Sequence, residues 1–207
     1  MGALAIPRLS VEEYLALDRE TEARAEYHDG EMFPALAATW QHGTIIINLG
    51  GVLMSRLDEK PCTVVGASSR VQVEPKRFVY PDLLVFCGKL QFNDGMTDTI
   101  ANPKVIIEVL SPSTAAYDYT TKFAWYRKLP SLEEYVLVEQ SGYRIDVFRR
   151  GDGGQWILTS FEGPDAVVRF ESLGVGVPMA DVYKKVLELP GFDRQTANQA
   201  ARTPTPS

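Results

Sequence analysis

Two apolar runs each carry one carboxylate: VYPDLLVF over residues 79–86, holding Asp82, and VIIEVL over 105–110, holding Glu108. Runs this apolar read as buried strands, where an ionised carboxylate is costly unless it is paired or binds a metal. Side chains alternate across a strand, so Glu108 shares a face with Ile106 and Leu110, and Asp82 shares one with Leu84 and Phe86. One loop separates the two segments, which allows them to be sheet neighbours with both acids on one side. Two such oxygens can hold a hard divalent cation such as Mg²⁺, with Mn²⁺ as its substitute, and leave positions for water and phosphate.

Lys122 follows Asp118 by four residues, with Tyr126 another turn on, so all three share one helical face. If that helix packs beside the Glu108 strand, the ammonium reaches the metal site, where it can orient a water or offset phosphate charge.

A chain of 207 residues with 45% hydrophobic content suits one decorated domain, expected over residues 1–192. The Ala/Thr/Pro/Ser-rich end, 193–207, is expected to be disordered. A net charge of -6 gives no general attraction to polyanions, so nucleic-acid binding must come from a local surface. Cys62 and Cys87 have no CxxC spacing and follow no secretory leader, which points to a reducing cytoplasm. No apolar run approaches the ~20 residues of a membrane span.

Ser10 to Glu13 is a capping box, predicting a helix over about residues 10 to 18. Asp29-Gly30 marks a hairpin turn. From an N-cap at Thr39, apolar residues at helical spacing predict a helix to Leu57. Strands are expected over 62–66, 69–74, 80–87 and 104–110, with a polar loop from Gly88 to Asn102. Pro112 stops the last of these, and Asp118 is read as the N-cap of a helix to Leu129. Strands at 134–139, 143–149, 155–161 and about 166–170 precede a helix near 180–188. The order predicts an α/β fold with one mixed central β-sheet flanked by helices.

This pattern resembles the PD-(D/E)XK nuclease superfamily, with Pro81-Asp82 as its PD element and Glu108 as its second acid. Its usual lysine position, two residues after that acid, holds Leu110 here. A subset of the superfamily carries the lysine on the following helix, where Lys122 stands. The chain is also similar to the Uma-two family of restriction endonucleases. The matching residues are Glu26 to Glu31, His42, Tyr80-Pro-Asp82, the block from Glu108 to Thr114, Asp118, Lys122, Tyr126, and Glu134 to Glu139. The resemblance implies a restriction-endonuclease-like core and Mg²⁺-dependent hydrolysis of DNA phosphodiesters. Asp82 and Glu108 would bind the metal, Lys122 would assist the water, and Glu26 would approach from the hairpin. A homodimer would suit two cuts on a duplex.

Other readings stay open. A catalytically inactive binding or interaction module of the same fold would also explain Leu110, with Glu108 held in a structural ion pair by Lys122 or Arg70. A hydrolase of a smaller phosphate ester is a third. His42 is either a satisfied core histidine or a contact to phosphate or water. Trp40, Trp125 and Trp156 read as core or interface rather than a base-stacking platform, and Arg127-Lys128 and Arg149-Arg150 as solvated charge.

Overall fold

Burial on both faces makes the Glu108 strand the centre of the molecule: every residue of Val105–Leu110 is buried. The computed structural model describes residues 8–21, 24–34, 39–93 and 96–187. The expected tail from Asp193 lies outside these residues.

Helix α1 (Val11–Glu20) opens on the capping box, with Ser10 Oγ accepting from the Glu13 N–H and the Glu13 carboxylate accepting from the Ser10 N–H. Strands β1 (Ala25–His28) and β2 (Glu31–Pro34) form the hairpin, turning on Asp29 and Gly30, both at positive φ. Helix α2 (Trp40–Arg56) is capped by Thr39 and buries Ile45, Leu49 and Leu53 along one stripe. Strands β3 (Cys62–Gly66), β4 (Arg70–Glu74), β5 (Arg77–Val79), β6 (Leu83–Cys87), β7 (Thr99–Ile100) and β8 (Val105–Leu110) follow. Then come α3 (Ala115–Tyr117), a π-helical turn (Asp118–Lys122) and α4 (Phe123–Tyr126). The chain continues through β9 (Glu134–Glu139), β10 (Arg144–Arg150), β11 (Trp156–Glu162), β12 (Val167–Phe170), β13 (Val175–Pro178) and α5 (Met179–Val182).

The main sheet has the order β11-β10-β9-β8-β6-β3; β8 and β9 are parallel and the other pairs antiparallel. One of its faces packs Leu83, Val85, Ile107 and Val136 against α2, β12–β13 and α5. The opposite face packs Leu84, Ile106, Leu110 and Tyr135 against Tyr126, Leu129 and a second sheet of order β2-β1-β5-β4-β7. No helix among the described residues is long and apolar enough to cross a membrane.

The α/β class and the mixed central sheet stand, and several boundaries move. The strands divide over three sheets rather than one, because the chain leaves β5 at Tyr80-Pro81-Asp82 and re-enters a different sheet at Leu83. The expected loop from Gly88 to Asn102 contains β7, which pairs in parallel with β4. Asp118 is not an N-cap: the helical segment starts at Ala115, with Ser111 and Thr114 exchanging hydrogen bonds at its entry. The last helix spans Met179–Val182 and gives way to turns through Leu187. Cys62 and Cys87 face each other in the β3–β6 register and are joined in a disulfide. Cross-strand pairing of this kind leaves no local spacing signal in the sequence.

Candidate functional site

The connection from β5 to β6 places Asp82 one residue before its strand, opposite the C-terminal half of β8. Its Oδ2 accepts the Val109 N–H at 2.7 Å, so the side chain continues the ladder where the backbone of β6 has ended. His42, in the first turn of α2, brings Nε2 to 3.1 Å from the same oxygen. Burial alone would depress this imidazole; the Asp82 carboxylate outweighs it and holds the pKa above the usual value. His42 is thus held at Nε2, while its buried Nδ1 has no partner among the described residues.

Glu108 is only 3% exposed. Its Oε1 takes both nearby donors, Lys122 Nζ at 3.0 Å and the Tyr126 hydroxyl at 2.8 Å. Lys122 also lies 3.0 Å from Glu26 Oε1 and 3.8 Å from Asp118 Oδ1. The π-helical turn holds Asp118 and Lys122 on its buried side, and Tyr135 donates to the Asp118 carbonyl at 3.1 Å. Such π turns are uncommon and recur at functional sites. Leu110, at the usual lysine position, is packed in the core.

Three carboxyls therefore surround one ammonium, and Asp82 is a fourth acid close enough to act on Glu108. Burial, reinforced by Asp82, Asp118 and Glu26, pushes the Glu108 carboxyl up to about 8 against the pull of Lys122. Burial likewise raises Asp118, to about 6, with Lys122 and Thr114 opposing. For Glu26 burial acts upward too, but His28 and Lys122 outweigh it and the carboxyl is lowered. Burial would strip the proton from Lys122, yet Glu108, Glu26 and Asp118 hold it well above its usual value.

The structure thus brings Asp82, Glu108, Lys122, Glu26, His42, Asp118 and Tyr126 into one connected cluster. Sequence reasoning missed His28 and Tyr117. Glu26 Oε2 lies 3.4 Å from His28 Nε2 and accepts from the Tyr117 hydroxyl at 3.4 Å. Strand alternation was the available signal for His28, which lies two residues from Glu26 and on its face. Of the two ion-pair partners expected for Glu108, Lys122 is present and Arg70 is not, being buried against Asp18 and Asp98.

Among the described residues no three His, Cys, Asp or Glu side chains gather as a ready set of metal ligands. Two carboxylate oxygens, Asp82 Oδ1 and Glu108 Oε2, accept no hydrogen bond from the described residues. That donor set suits Mg²⁺, which is commonly bound through one or two carboxylates and completes its shell with water and substrate phosphate.

Two proteins of Synechocystis sp. (strain ATCC 27184 / PCC 6803 / Kazusa) are similar to the chain, "Uncharacterized protein sll1609" and "Uncharacterized protein slr1290". Each is 30% identical, over 81% and 86% of this chain and 95% and 93% of their own lengths. The fold matches the crystal structure of a "putative nuclease belonging to DUF820" from Anabaena variabilis ATCC 29413. That match has a TM-score of 0.69 and 20% identity, and covers 84% of this chain and 97% of that one. Residues 11–180 match the model of the Uma2 family, described as "Putative restriction endonuclease", and it is to this family that the chain belongs.

Proposed function

We propose that the protein is a metal-dependent endonuclease that hydrolyses DNA phosphodiester bonds, with its centre at Asp82, Glu108 and Lys122. The observation that carries this reading is the crowding of acids: Glu26, Asp82, Glu108 and Asp118 gather around the Lys122 ammonium, with His42 on Asp82 and His28 on Glu26, and buried Glu108 is still driven toward protonation. Held by Asp82 and Glu108, Mg²⁺ or Mn²⁺ would supply positive charge there, polarise a phosphoryl oxygen and acidify a water.

The chain's own residues have separable tasks. Lys122 holds an attacking water or a phosphate oxygen through its ammonium, doing from the helix what a lysine at position 110 would do from the strand. Glu26 and Asp118 keep that ammonium charged and aimed. Tyr126 fixes Glu108 through Oε1, and His42 and the Val109 N–H fix Asp82 through Oδ2, so the remaining carboxylate oxygens are left for one task. A homodimer would offer one such centre to each strand of a duplex. A cytoplasmic DNA substrate would expose the Cys62–Cys87 pair to thiol reductants.

The test is cleavage, with Mg²⁺ or Mn²⁺, of supercoiled plasmid and of single-stranded circular DNA. Cleavage is expected from the wild type and not from Asp82→Ala or Glu108→Ala proteins whose circular dichroism is unchanged. Cleavage that survives both changes sinks the assignment, as does a metal-loaded wild type that leaves DNA intact.

A further inference from the structure

Phe33 stands at the rim of this site with 43% of its surface exposed. It lies directly opposite Glu26 in the β1–β2 hairpin, so both side chains leave the same face. Its ring is backed by His28, with centroids 4.9 Å apart and planes 31° from parallel. His28 in turn meets Trp125 edge-on at 4.7 Å, and Trp125 meets Tyr117 at 5.9 Å. Tyr117 closes the series against the centre: Lys122 Nζ lies 5.9 Å from its ring. A solitary exposed apolar ring is ordinary. This one is the open end of a continuous aromatic row whose other end lies 5.9 Å from the lysine ammonium of the site.

Three of the cations nearby are already engaged. Arg77 bonds Asp29 and Glu74, and its guanidinium lies 5.0 Å from the Trp125 ring. Lys128 is paired with Glu74, and Lys122 is shared among three carboxyls. Exposed Lys76 and Arg127 make no ion pair among the described residues, and with a net charge of -6 they offer a small hold on phosphates in either form of nucleic acid. Base–aromatic stacking adds to whatever charge holds the backbone, and it needs a base that has left its own stack.

We propose that Phe33, backed by His28, is a stacking platform for an unpaired base, and that the substrate is a single strand of nucleic acid rather than intact duplex. This rests on the reading of the adjoining cluster as a nuclease centre and names the form of substrate that centre takes. Stacking on Phe33 places the neighbouring phosphate on the Glu26 and Lys122 side of the hairpin.

Fluorescence anisotropy in EDTA tests this without any need for cleavage, using a fluorescein-labelled oligothymidylate and a duplex of matched length. The wild type is expected to bind the single strand more tightly than the duplex. Phe33→Ala is expected to weaken single-strand binding about tenfold and leave duplex binding unchanged, while Phe33→Trp retains it. Thermal melts of both variants control for folding. The proposal is overturned if the wild type prefers duplex, if it binds neither probe, or if Phe33→Ala binds the single strand as well as the wild type does. The nuclease reading fails separately: a protein that binds through Phe33 but never cleaves refutes that reading alone, and one that cleaves without regard to Phe33 refutes only the platform.

Discussion

Replacing Glu108 by Gln should stabilise the metal-free protein at neutral pH while abolishing its function. In the folded state the Glu108 carboxyl is raised to about 8 by burial and by its acidic neighbours. Between the ordinary carboxyl range and that value the native state keeps a proton that the unfolded chain has released, so stability falls as pH rises through this window. A shift of that size corresponds to about 3 kcal/mol lost by pH 7 and about 5 kcal/mol by full ionisation, as upper limits. In the Glu108→Gln protein the amide oxygen still accepts from Tyr126, and the side chain does not titrate. Urea denaturation in EDTA at pH 5 and pH 8 should therefore show the wild type losing about 3 kcal/mol more than Glu108→Gln between the two. Adding Mg²⁺ at pH 8 should restore the wild type and not the variant, because the metal takes the place of the proton. Equal pH dependence in the two proteins would refute the account of a charge-starved cluster.

Two further perturbations probe the scaffold. Asp18 Oδ2 accepts from both Arg70, 2% exposed, and Tyr80, so Asp18→Ala should cost about 3–5 kcal/mol in urea denaturation by leaving a buried guanidinium short of its partner; a cost under about 1 kcal/mol would show that Asp98 suffices. Reduction of the Cys62–Cys87 bond, which closes a separation of 25 residues, should remove about 3 kcal/mol and lower the melting temperature measured with dithiothreitol; an unchanged melt would refute a stabilising role.

Local chemistry is legible where it is self-contained. The Ser10 capping box, the Asp29-Gly30 turn and the Thr39 cap need only neighbours within a few residues, and each stands where the pattern places it. Asp118 misleads because an aspartate after a serine- and threonine-rich loop has the pattern of a cap. Here Ser111 and Thr114 bond each other at the helix entry, which leaves the Asp118 carboxyl to turn inward. Arg150 has the pattern of solvated charge, yet it donates to the carbonyls of Leu132, Arg127 and Leu129 and lies over Trp156. Trp40 is half exposed, which rules out the core for it and leaves the interface reading open. Tyr80-Pro81-Asp82 has the apolar setting of a strand, although a residue without an N–H favours the change of sheet it makes.

Sequence alone placed two acids in apolar segments and allowed them to share one face of neighbouring strands, because side chains alternate and a lone buried charge is costly; the sheet pairing then set Asp82 beside the Glu108 strand. Sequence also placed Asp118, Lys122 and Tyr126 on one helical face. Only the tertiary structure decided what those groups meet. Glu26 comes to Lys122 from a separate hairpin, and its bond to Tyr117 spans 91 residues of chain. A carboxyl's ionisation depends on every charge within a few ångströms, and that neighbourhood is a property of the packed sheets, which no local pattern encodes.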